Sequence, residues 1–109
     1  MEVRQDSLAL LPKINWEIHD QWFDLGQVTY DPQERTWQLL FGATSSGPFD
    51  HILRITSVVS YSVRDEARIG VYDFDDIEVN LAKKQIVITS GFPLELRLDI
   101  LPDFSILML

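Results

Sequence analysis

The sequence predicts an all-β domain: an antiparallel sandwich or barrel built from two three-stranded units related by a pseudo-twofold axis, preceded by a short N-terminal element. Three observations carry this expectation. Apolar and polar residues alternate with a period of two over several stretches, the pattern of half-buried strands. Turn-forming residues separate those stretches at short intervals. The segment Trp22 to Leu39 also lies over Val71 to Ile88 without a gap, apolar on apolar and turn on turn.

From the N-terminus, Ser7 to Leu11 reads either as a short helix or as an added strand before Pro12. Everything up to Gln21 lies outside the self-match, so it is expected to cap an open end or to cover an edge. No interior segment shows a sustained helical period. Val28 to Asp31 and Glu34 to Leu39 form a hairpin around Asp31-Pro32, with Asp at the first and Pro at the second position of a type I turn. Gly42 to Pro48, rich in Gly, Ser and Thr, is an exposed loop. Leu53, Ile55, Val59, Tyr61 and Val63 keep one parity along a long strand. Drawn straight, Ile52 to Val63 would span about 40 Å at ~3.3 Å per residue, against a radius of gyration near 13 Å for a domain of this size. The strand must therefore curl or carry a bulge, and Ser57-Val58 is the expected place.

The second unit repeats the plan. Ile77 and Val79, then Ile86 and Ile88, flank the polar break Asn80 to Lys84, and Leu94 to Ile100 alternates without a fault. Beyond the hairpins, Phe49 lies over Phe92, Leu53-Arg54-Ile55 over Leu96-Arg97-Leu98, and Tyr61-Ser62-Val63 over Phe104-Ser105-Ile106. The repeat is thus 22–63 and 71–106 within a single domain of residues 1–109. A three-stranded unit with one apolar face cannot bury that face alone, but two such units can cover each other.

Composition narrows the function. Hydrophobic residues make up 46% of the chain, enough for a core, so disorder is not expected. The net charge of −8 repels phosphate, which makes nucleic acid and anionic membranes poor partners and leaves a basic protein or a cation as the suitable ones. The absence of cysteine removes disulfides, thiolate metal sites and thiol catalysis. Acidic residues at the start stand where a signal peptide would be basic, and the expected compartment is the cytoplasm.

Among candidate sites, Asp24 and Asp73 fall at equivalent positions of the two units. If a twofold axis brought them together, they could form a carboxylate pair for hydrolysis. Position 25 is Leu, however, where such a site needs a hydroxyl, and the expected state is two solvated acids. Asp73, Asp75 and Asp76 are the densest acidic patch and the candidate ligands for a hard cation, although their spacing fits no calcium-loop template. Gly42 to Gly47 has the glycine spacing of a phosphate loop, but Pro48-Phe49 stands where Lys and a hydroxyl residue belong. Trp16, His19 and Trp22 combine aromatic faces with polar neighbours and are the candidate binding residues.

The expectation is a non-enzymatic binding or protein-interaction domain without a cofactor. The alternatives are a small acidic neutraliser of a basic protein and a carboxylate-dependent hydrolase using Asp24 and Asp73. A homodimer is also expected. Phe104, Ile106 and Met108 share one face, and Leu107 and Leu109 leave the other apolar; Leu8, Leu10 and Leu11 are the only segment of the chain free to cover it.

Overall fold

The computed structural model describes residues 1–109. Its chain is mostly β, as the alternation predicts, and forms one antiparallel sheet curled into a half-barrel. The strands are β1 (Glu2–Arg4), β2 (Trp22–Asp24), β3 (Thr29–Asp31), β4 (Thr36–Gly42), β5 (His51–Asp65), β6 (Val71–Asp73), β7 (Asp76–Asn80), β8 (Gln85–Thr89) and β9 (Leu94–Met108). Their order across the sheet is β6-β2-β4-β5-β9-β8-β7, with β1 added alongside β9 and β3 alongside β4.

The spine is the antiparallel pair β5–β9, two strands of 15 residues each. A straight strand of that length would run about 50 Å, yet the molecule's longest extent is 35 Å. The strain is taken up at Ser57, which adopts φ 59° while the register with β9 slips on both sides of Val58. This is the bulge that the strand length requires. It also corrects the expected parity at Val59, while Tyr61 and Val63 keep the face of Leu98 and Leu96. Leu53, Ile55 and Val58 point inward, and Val59 is 49% exposed.

The two hairpins use the same turn chemistry. Asp31 Oδ1 accepts hydrogen bonds from the backbone of Gln33 and Glu34, at 3.0 and 3.2 Å. Asn80 Oδ1 accepts one from Lys83 at 3.0 Å. Each turn closes on a left-handed residue, Arg35 at φ 53° and Lys84 at φ 54°. β2 then pairs with both β4 and β6, bringing Phe23 opposite Phe41 and Tyr72. One cluster of 21 buried hydrophobic residues fills the interior. Phe23 stands amid its aromatic part, with ring centroids 4.6 Å from Phe74 and 5.9 Å from Tyr72.

Ser7 to Leu11, left open between helix and strand, is helical, and the added strand lies before it. β1 lies alongside β9, with Val3 opposite Ile106. A 3₁₀-helix, Gln5–Leu10, leads into α1, Leu11–Ile18. Pro12 falls in the first turn, where a missing N–H breaks no helical bond. Leu11, Ile14 and Ile18 share one face, which packs on the core. α1 therefore closes one end of the half-barrel. It also covers an edge: Asn15 receives the N–H of Ile77 at 2.8 Å and donates to its carbonyl at 3.0 Å, taking the place of a neighbouring strand for β7. Leu8 and Leu11 pack against the core, Leu10 and the terminal Leu109 stay exposed, and Leu107 near the end of β9 is half-buried. No helix is long and apolar enough to cross a membrane.

Candidate functional site

Trp16 sits on α1 between the two buried isoleucines, so the helical period turns its indole away from the core. It is 84% exposed, the most exposed large apolar side chain in the molecule. Two hollows meet at this ring. One, of about 390 Å³, is bordered by Pro12, Asn15, His19 and Asp75. The other, of about 730 Å³, runs from Glu17 and Gln21 to the strand ends, where Met1, Met108 and Leu109 form an apolar rim. Within it, the His51 ring stacks on Phe41 at 5.4 Å, with Phe41 nearly buried. Cross-strand pairing holds this stack, since Phe41 on β4 is in register with His51 on β5.

Of the candidate binding residues, Trp16 and His19 border one hollow. Trp22 does not join them: it stands on β2, half-buried, with its ring 6.5 Å from Phe92. Phe41, His51, Met1 and Leu109 line the larger hollow and carry no local sequence signal, because the β4–β5 register joins the first two and the two chain ends supply the others. Acids stand at the hollows and beside both histidines. Asp20 pairs with His19 at 3.3 Å, Asp50 lies 3.6 Å from His51, and Glu17 and Asp75 border the hollows.

The carboxylates proposed for chemistry are occupied in holding turns. Asp24 Oδ1 accepts the Gly26 N–H at 2.9 Å. Asp73 Oδ1 accepts from Ser90 Oγ at 2.7 Å and from the Gly91 N–H at 3.1 Å. In the β2–β6 ladder Asp73 is opposite Trp22 and Asp24 is opposite Val71, and no hydrogen bond joins the two acids. Both acids are half-buried, and each is bonded to a turn of the backbone. Asp73→Ala is accordingly expected to lower stability by about 1–3 kcal/mol, as a charge-assisted bond pair is lost. Urea denaturation would measure it. Asp73, Asp75 and Asp76 do not converge: the first anchors the Ser90 turn, the second faces the Trp16 hollow, and the third lies in the β7 ladder opposite Thr89. No group of three or more His, Asp or Glu side chains is placed to hold a metal ion. Comparison with protein-family models, curated proteins and solved structures finds no match for this chain.

Proposed function

We propose that this chain is a non-enzymatic binding domain that engages a protein partner through the Trp16 surface of α1. The observation that carries the reading is the exposure of Trp16 between two hollows. A solvated indole forfeits the burial that an aromatic of its size gains on contact, and tryptophan is the side chain most often found at the energetic centre of protein interfaces. The rim of Met1 and Leu109 and the Phe41–His51 stack extend the apolar area around it. The acids at its border, with the net charge of −8, favour a partner that presents Lys or Arg, whose cation can rest on the indole while carboxylates flank it.

The scaffold belongs to the same reading, as two copies of one unit, 22–63 and 71–106, related by a twofold axis. Support comes from the matching turn bonds at Asp31 and Asn80 and from the left-handed residues Arg35 and Lys84 that close both turns. Equivalent strands also meet antiparallel, β2 with β6 and β5 with β9, as such an axis requires.

The test uses wild type and Trp16→Ala as paired baits. Trp16→Ala should leave the melting temperature within about a degree, since an exposed side chain contributes little to folding. A partner should be retained by wild type, lost by the variant, and released as salt is raised. If no protein distinguishes the two baits, the reading fails. A partner that distinguishes them but ignores salt removes the basic-partner part alone.

A further inference from the structure

The two long strands of the spine differ on their outer sides. In its second half β9 is flanked by β1, with Glu2 opposite Leu107, Val3 opposite Ile106 and Arg4 opposite Ser105. The second half of β5 has no such neighbour, because its ladder with β4 ends at Trp37 and Ile55.

The direction of the backbone groups along this free side follows from the ladder. The Ile100 N–H donates to the Lys84 carbonyl, and Ile86 opposite Leu98 and Ile88 opposite Leu96 continue the same register. Antiparallel residues alternate in the side to which their N–H and C=O point. Leu96 and Leu98 therefore face β8, and Glu95, Arg97 and Asp99 face β5, where they meet Arg64, Ser62 and Ser60. Tyr61 and Val63 are left pointing away from β9, and no backbone or side-chain hydrogen bond outside the paired ladders reaches them. Val63 is 44% exposed, although it stands opposite the buried Leu96 on the inner face. Its counterpart in the sequence match, Ile106, is fully buried beside Val3. The free lane is short. At one end the Tyr30 hydroxyl donates to the carbonyls of Val58 and Val59, and at the other the Tyr72 hydroxyl bonds Asp65.

We propose that the free side of β5 at Tyr61–Val63 is a strand-accepting site for an extended segment of a protein partner. The segment runs antiparallel to β5 with an aliphatic residue opposite Val63 and an acidic residue opposite Arg64. The chain supplies the example in β1, whose Glu-Val-Arg fills the corresponding lane of β9 with Val3 facing Ile106. Moved into the β5 lane in the same register, its acid would meet Arg64, an exposed side chain whose one ion-pair partner is the exposed Glu66. Main-chain bonds to Tyr61 and Val63 supply affinity, and the aliphatic and acidic positions supply selection. This site is separate from Trp16, and either can fail without the other.

The probe is a synthetic peptide with the sequence of residues 1–8, added at millimolar concentration to the full isotope-labelled chain. Saturable amide shifts confined to residues 60–64, with several-fold slower hydrogen exchange at Tyr61 and Val63, are expected. Val63→Pro removes an outward N–H and leaves the β9 ladder intact, so it should keep the fold and abolish these shifts. Arg64→Glu should weaken the peptide, and a peptide with arginine in place of Glu2 should restore binding to that variant. Shifts at Ile106 instead of Val63 would mean that the peptide only displaces β1, and would overturn the proposal. So would silence at residues 60–64, or shifts there that depend on the concentration of the chain alone, which would assign the lane to a second copy.

Discussion

Phe23→Ala is expected to lower folding stability by about 3–5 kcal/mol, the usual cost of emptying a buried aromatic site. The ring is fully buried and touches Tyr72 and Phe74 from the second half of the chain. It therefore joins β2 to β6 where no turn connects them. The cavity cannot close freely, because β2 is held on both sides, by β4 and by β6. Since a domain has only about 5–15 kcal/mol in hand, the variant should unfold at much lower urea. Phe23→Leu should recover more than half of the loss. A change near 1 kcal/mol would mean that this end of the sheet is loosely packed.

The second large effect is expected at Asn15. Asn15→Leu keeps the size of the side chain but leaves the N–H and the C=O of Ile77 without partners. Each buried group so orphaned costs about 1–3 kcal/mol. The variant should lose both stability and the fixed position of α1, so the Trp16 surface loosens with it. It also frees the edge of β7, and aggregation at high concentration should rise. Urea denaturation and light scattering report the two consequences. Asn15→Asp is the informative control, since it keeps the acceptor for the Ile77 N–H and removes the donor to its carbonyl. An intermediate loss would apportion the two bonds.

What the sequence revealed follows from the length of each element. β7, β8 and the first half of β9 alternate long enough for the period of two to show, and their turn at Asn80 announces itself by its polar residues. The bulge at Ser57 was legible from length alone, but its effect on side-chain parity was not. The two register shifts around Val58 turn Val58 inward and Val59 outward before Tyr61 and Val63 rejoin the face of Leu98 and Leu96, and a strict period of two cannot anticipate that local exchange. α1 escaped because eight residues contain only three core positions, Leu11, Ile14 and Ile18, and Pro12 in the first turn resembles a break. At the candidate site, the sequence names Trp16 but not the outward direction of its indole. Trp22 looked equivalent in sequence and lies elsewhere because it belongs to β2. The Phe41–His51 stack depends on the β4–β5 register, which no local pattern encodes.

The spine has a kinetic consequence. The hairpins β3–β4 and β7–β8 close loops of a few residues, and β8–β9 follows directly along the chain. The β5–β9 ladder begins with Leu53 opposite Met108, and β1 completes the sheet by setting Val3 opposite Ile106, almost the full length of the chain away. Loop-closure entropy must be spent before such distant pairs return any energy, and folding slows as the mean separation of contacts grows. The hairpins can therefore form early, while the lane beside Ile106 stays empty until late. During that interval both long strands present an unpaired edge. The order of assembly leaves β9 as open as β5 until the N-terminus arrives.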